Sequence, residues 1–230
     1  MKRLASARHN AQGLIQKYLK TEQLLFAAFG ILAVAFILWA SELLENGLSP
    51  FDSLIYRNLR TLISPDLTVW IKLLSDSGAS YTLVSILAVF WAVSFQRKRV
   101  LYYTKIMTVN LFVSAGMNLL FKTFFHRTRP DILVLVHAGG YSFPSGHSMI
   151  GAAFYGYLIY LCVIFLKKPW KQLFSALFMI LILFIGLSRI YLGVHYASDV
   201  VGGFLAGFAW LAVLLLFINK KGAFTRENPK

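Results

Sequence analysis

Three stretches of this chain carry side chains suited to chemistry on a small, highly charged anion. The first runs Lys122-Thr-Phe-Phe-His-Arg-Thr-Arg129-Pro130. The second is Tyr141-Ser-Phe-Pro144-Ser145-Gly146-His147-Ser148, and the third is Ser188-Arg189-Ile-Tyr-Leu-Gly-Val-His195-Tyr-Ala-Ser-Asp199. Lys122, Arg129 and Arg189 are cations with a single acid, Asp199, among the three stretches. Guanidinium groups meet phosphate oxygens through paired hydrogen bonds, so the set suits a phosphate. Pro144-Ser145-Gly146 stands directly before an apolar run. Gly146 admits close backbone approach, Ser145 adds a hydroxyl donor, and a helix N-terminus favours negative charge. His195 and Asp199 are four residues apart, about one helical turn. Asp199 can accept from one imidazole nitrogen and leave a lone pair on the other. His195 is therefore a candidate nucleophile. His147, beside the anion-binding turn, is a candidate acid for a leaving oxygen.

Each piece alone has a simpler reading. Ser-Gly-His at a helix start is commonly a cap. A His/Asp pair four apart is commonly a local hydrogen bond. Lys122 and Arg127 could be snorkelling interface residues, and His126 and Arg127 are left at that level. The joint pattern carries the argument, because chance would have to bring three cations, two histidines and a carboxylate to one level.

Helices must do that bringing together, and gaps in the charge pattern locate them. Residues 23–41, 77–96, 106–121, 172–188 and 200–219 hold no charged side chain, nor do residues 132–166 with histidine counted neutral. A hydrocarbon core of ~30 Å needs about 20 helical residues. The expected fold is all-α and polytopic, with six transmembrane helices near 23–45, 79–96, 101–124, 147–166, 172–192 and 198–219. A β-barrel would alternate apolar and polar residues, and Leu32 to Trp39 does not. The first apolar run is too long for a cleaved signal and is expected to be retained. Residues 48–75 hold two short amphipathic patterns, Leu54, Ile55, Leu59, Leu62 and Leu67, Trp70, Ile71, Leu74. They are expected to lie against the outer surface.

Composition agrees with the membrane reading. Of 230 residues, 58% are hydrophobic and 14% charged, yet the formal charge is +14. So apolar a chain is no disordered basic tail, and 20 Phe with long uncharged runs do not suit a nucleic-acid binder. The single cysteine, Cys162, excludes an internal disulfide and an all-cysteine metal site. Basic residues cluster before the first span, after spans two and four, and in the tail. With six spans these segments share one face, which the positive-inside rule makes cytoplasmic. That face holds 16 basic residues against Glu22 and Glu227, whereas the other holds seven of each sign. The expected organisation is a cytoplasmic basic arm over 1–22, a six-span domain over 23–219 with an outer segment at 46–78, and a cytoplasmic tail over 220–230. Both termini lie inside, and the helix ends bearing Lys122, His147, Arg189 and Asp199 lie outside. The Gly203/Gly207 pair is expected to pack against a neighbouring span of the same chain.

The three stretches resemble the type 2 phosphatidic acid phosphatase superfamily, whose members include phosphatidylglycerophosphatase B-like enzymes and undecaprenyl pyrophosphate phosphatases. Its signature is Lys, six residues, Arg-Pro; Pro-Ser-Gly-His; and Ser-Arg, five residues, His, three residues, Asp. Every position is filled, by Lys122, Arg129 and Pro130, by Pro144 to His147, and by Ser188, Arg189, His195 and Asp199. The resemblance implies a hydrolase of a membrane lipid phosphomonoester or diphosphate in the plasma membrane, working without metal or other cofactor. It implies that His195 attacks phosphorus, Asp199 orients it, His147 protonates the leaving group, and Lys122, Arg129, Ser145, Gly146 and Arg189 hold the phosphate. The implied partners are the bilayer and the lipid substrate, with no nucleic acid and no obligatory protein. A sideways path for the lipid, near 48–75, follows from the membrane setting. Undecaprenyl diphosphate, phosphatidylglycerol phosphate, phosphatidic acid and diacylglycerol diphosphate stay open as substrates. A phosphotransferase of the same superfamily, and an anion transporter, stay open as alternative functions.

Overall fold

The computed structural model describes the backbone of residues 2–46, 50–131 and 134–227, with side chains over 19–44, 50–131 and 134–219. Among the described residues eight helices follow one another: α1 (Lys2–Asn46), α2 (Pro50–Arg60), α3 (Pro65–Asp76), α4 (Ser80–Ser94), α5 (Lys98–Phe125), α6 (Gly146–Phe165), α7 (Trp170–Tyr191) and α8 (Ala197–Glu227). No strand occurs among the described residues. Five helical stretches among the described residues are long and apolar enough to cross a bilayer: Leu19–Leu44, Lys98–Phe125, Gly146–Phe165, Trp170–Tyr191 and Ala197–Asn219.

The expected second span is where the structure differs. Helix α4 has 15 residues, a length of about 22 Å, which is short of the ~30 Å hydrocarbon core. It reaches spanning length only with α3, from which it is bent by 45°. The break falls at Ser77-Gly78-Ala79. Gly78 stands there because a Cβ would lie 2.6 Å from Ile185 Cγ2 and 3.1 Å from His147 Cδ2. The interruption therefore lets the chain pass close against α7 and the start of α6. Helix α3 begins on Ser64, whose hydroxyl accepts the Leu67 N–H at 3.3 Å, followed by Pro65. Helix α1 is also longer than its expected span, running back to Lys2.

Helix α6 is the centre of the bundle. Phe154, Tyr157, Leu158 and Leu161 pack with Leu83 and Leu87 of α4, Met107 and Leu111 of α5, Ile182 and Ile185 of α7, and Leu214 of α8. Small residues let α8 approach it. A Cβ on Gly203 would lie 2.8 Å from the Ser145 carbonyl and 2.8 Å from Ser148 Cβ, and one on Gly207 would collide with the Met149 carbonyl. The Gly203/Gly207 pair thus packs within the chain, as expected. Helices α1, α5 and α7 turn Ile31, Leu38, Phe112, Leu120 and Leu183 outward, which suits surfaces that meet lipid rather than water.

Helices α2 and α3 lie over the α7–α8 connection. Ile55 and Leu59 pack on Ile190, Ala197 and Val200, and Ile63 and Ile71 on Tyr191, Leu192 and Val194. Helix α1 is tied to the same end by Trp39, whose indole N–H donates to the Ser198 carbonyl at 3.0 Å. Its Phe36 stacks on Phe143 at 5.9 Å.

Candidate active site

Four helix ends meet at this level. Helix α5 ends at His126 in the left-handed region (φ 48°), which turns the chain back toward the bundle. The following loop is pinned by two backbone hydrogen bonds, Ser142 N–H to Arg127 O at 2.8 Å and Leu135 N–H to Leu192 O at 3.0 Å. The Ser145 N–H donates to the Asp199 carbonyl at 3.0 Å, joining the start of α6 to the start of α8. All eight residues singled out from the sequence, Lys122, Arg129, Ser145, Gly146, His147, Arg189, His195 and Asp199, are delivered to this end of the bundle. His147 lies within electrostatic reach of Arg189, His195, Lys122 and Arg129.

His195 is buried, 3% exposed. Its Nδ1 stands 3.4 Å from Asp199 Oδ2, and its Nε2 stands 3.2 Å from a guanidinium nitrogen of Arg129. Burial pushes the imidazole down to about 4, with the hydrogen bond to Asp199 opposing that shift. The ring is therefore neutral at physiological pH, with one nitrogen toward an acid and the other toward a cation. Arg129 donates to the carbonyls of Val194 at 2.7 Å, Gly140 at 3.0 Å and Gly139 at 2.8 Å. These bonds fix its fork beside His195, while burial lowers its basicity. Lys122 donates to the Tyr141 carbonyl at 2.5 Å. Arg189 donates to Ser75 Oγ at 2.7 Å, and its Nε is buried without a partner among the described residues. An unpaired buried N–H is costly and is suited to a negatively charged oxygen.

The start of α6 divides its donors. The Ser145 amide is committed to Asp199, whereas Gly146 and His147 open the helix, where N–H groups lack an intrahelical acceptor. The amide ends of Gly146 and His147 and the Ser145 hydroxyl are the donors suited to an anion. Asn118, one turn before Lys122, holds this turn in place. Its amide donates to the Pro144 carbonyl at 3.1 Å, and its Oδ1 is so close to Gly146 that a Cβ there would lie at 3.0 Å. No group of three His, Cys, Asp or Glu among the described residues is placed to hold a metal ion.

The pattern characteristic of the PAP2 superfamily matches residues 99–223, more than half of the chain. The chain belongs to the PAP2 superfamily. Phosphatidylglycerophosphatase B of Bacillus subtilis is 32% identical over 195 residues, covering 81% of this chain and 90% of that one. YbjG of Escherichia coli, named as a proposed undecaprenyl-diphosphatase, is 36% identical over 155 residues, covering 63% of this chain and 72% of that one. The crystal structure of a transmembrane PAP2 type phosphatidylglycerolphosphate phosphatase from Bacillus subtilis superposes with a TM-score of 0.77 at 28% identity, covering 84% of this chain and 96% of that one. The PAP2 fold here is thus a multi-pass membrane bundle, and the enzyme is a membrane lipid phosphatase.

Two features of this PAP2 site go beyond what its sequence disclosed. Arg127 is no snorkelling residue: it donates to Asp199 Oδ1 at 2.7 Å and to Asp52 Oδ2 at 3.0 Å. Its placement beside a conspicuous motif was the only available signal. Asp52, Ser75, Asn118, Ser142 and Ser198 support the site as well, and none of them was singled out from the sequence, although Ser142 and Ser198 fall inside the second and third stretches. His126 stays outside the cluster, exposed and edge-on to Tyr141 with ring centroids 4.5 Å apart.

Proposed function

We propose that this membrane lipid phosphatase removes phosphate from a lipid phosphomonoester or diphosphate through a phosphohistidine on His195. The observation that carries the reading is the His195 ring itself, held between Asp199 on Nδ1 and Arg129 on Nε2. A proton on Nδ1 directed at Asp199 leaves the Nε2 lone pair for phosphorus. As the Nε2–P bond forms, the P–O bond to the lipid breaks, and His147 gives its proton to the departing oxygen. Water then attacks phosphorus, the N–P bond breaks with its electron pair returning to Nε2, and His147 takes the proton from water. Lys122, Arg129, Arg189, Ser145 and Gly146 hold the phosphoryl oxygens and offset their charge as it builds.

The names of the relatives support phosphatidylglycerol phosphate and undecaprenyl diphosphate as candidate lipids. A cavity of about 220 Å³, lined by Tyr56, Arg57 and Arg60 of α2 together with Pro130, His195 and Tyr196, supports a lateral path for the lipid along α2. The basic clusters support cytoplasmic termini and a site on the opposite side of the membrane. The test is a panel of lipid phosphates with purified protein, measuring inorganic phosphate release and an acid-labile, base-stable phosphoenzyme. His195→Ala is expected to abolish both. Hydrolysis at the parent rate by His195→Ala would remove the proposed nucleophile.

A further inference from the structure

Helix α2 reaches the reacting group through a buried charge relay. Asp52 is 2% exposed, an unusual position for a carboxylate on a short outer helix. Its Oδ1 accepts the backbone N–H of Ser198 at 2.7 Å, in the first turn of α8. Its Oδ2 accepts the Ser198 hydroxyl at 2.7 Å and an Arg127 N–H at 3.0 Å. Arg127 in turn donates from one nitrogen to Asp199 Oδ1 at 2.7 Å and to Ser198 Oγ at 2.7 Å. Its guanidinium lies over the Tyr196 ring, 4.4 Å from the centroid. Asp199 is fully buried, and its Oδ2 accepts from the Tyr196 N–H at 2.8 Å and from the Ser142 hydroxyl while facing His195.

We infer that Asp52 and Arg127 are positioning residues of this enzyme, fixing the Asp199 carboxylate so that its Oδ2 faces His195. The inference rests on the proposed roles of His195 and Asp199. A carboxylate held at one oxygen can still rotate about its Cβ–Cγ bond. Arg127 pins Oδ1, and the groups on Oδ2 then determine the plane. Arg127 alone would also draw off the negative charge that His195 needs as it gains positive character. Asp52 offsets that cation, leaving the trio with one net negative charge. Asp52 further satisfies an otherwise unpaired N–H at the positive end of α8, an arrangement favoured by the helix dipole. The other charged groups and the histidine that act electrostatically on His195 are Lys122 of α5, Arg129 of the following loop and His147 of α6, while Tyr56, Arg57 and Arg60 of α2 and Tyr196 line the same cavity. None of Lys122, Arg129 and His147 contacts the Oδ1 side of Asp199 in the hydrogen-bond network.

The test uses purified full-length Asp52→Asn, Arg127→Met, the double variant and His195→Ala, assayed on phosphatidic acid in mixed micelles with a thermal melt for each. Asp52→Asn keeps the shape and removes the charge. It is expected to lower kcat on the order of 10- to 100-fold, the range seen when outer hydrogen-bond partners of metal ligands are removed, with KM within about twofold. The double variant is expected to be no slower than the worse single one, because either loss breaks the same relay. If Asp52→Asn fails to fold, Ser198→Ala, which removes one hydroxyl from the relay, is expected to lower kcat severalfold at unchanged KM. Parent kcat in a folded Asp52→Asn, losses that multiply in the double variant, or parent kcat in Ser198→Ala would each overturn the inference. Inactive His195→Ala beside fully active Asp52→Asn removes the positioning role alone, whereas active His195→Ala removes the proposed nucleophile first.

Discussion

At His195, burial opposes the ring's own basicity, and the sign of the consequence can be worked out. The folded imidazole is pushed down to about 4, whereas an unfolded histidine titrates near ~6.5. Between those values the unfolded chain takes up a proton that the folded chain refuses. His195 therefore subtracts stability as pH falls through that window, and melting temperature is expected to drop between pH 7 and pH 5. The difference should shrink in His195→Ala. Attack requires the neutral ring, so the His195 contribution to the acid limb of kcat/KM in free enzyme is expected near pH 4 rather than 6.5. A pH profile with a substrate of known phosphate ionisation checks this. The pairing of His195 with Asp199 was legible from their four-residue spacing, although His195 stands in the connection just before α8 rather than in the helix itself. The pairing of Asp199 with Arg127 and Asp52 was not, since Asp52 and Ser198 stand 146 residues apart and nothing local links them.

Among the elements, the α6–α8 contact is the one on which the site depends most directly. Gly203 faces the Ser145 carbonyl, so a side chain there must push apart the two helix starts that carry the anion-binding turn and Asp199. Gly203→Val is expected to cost about 1–3 kcal/mol, the range for overpacking a close contact. It should lower both melting temperature and phosphate release. Gly30 of α1 is the contrasting case, since a Cβ added there would meet nothing within 4 Å. Gly30→Ala is expected to leave both unchanged or slightly raised. Helices of 20 or more apolar residues were legible from the gaps between charges. The boundary between α3 and α4 was legible too, with the outer segment expected to end at 78 and the span to begin at 79; the reason for it was not. Its cause is packing against Ile185 and His147, two residues far along the chain.

For the whole molecule, the +14 surplus is what the proposed orientation rests on. With Cys162→Ser as background, Asn58→Cys is expected to react with a membrane-impermeant maleimide in intact cells. Gln96→Cys should react only after permeabilisation. Both positions are exposed. Labelling with the opposite sidedness would invert the proposed orientation. The bundle also explains how a polar site survives at the edge of hydrocarbon. Asp52, Arg127, Asp199 and His195 are linked to one another, Lys122 and Arg129 donate to backbone carbonyls, Arg189 donates to the Ser75 hydroxyl, and the apolar faces of α1, α5 and α7 are turned outward.

The sequence by itself determined the class of helical membrane protein, the number of apolar runs and the eight residues that converge. These properties depend on side-chain transfer energies and on spacing within one helical turn, both of which are local. Only the tertiary structure decided that α4 needs α3 to reach spanning length, that Arg127 belongs to the site and that α2 is bound to it through Asp52. Those outcomes depend on which distant surfaces meet. A buried charge must find its counterion wherever folding brings one within hydrogen-bond reach.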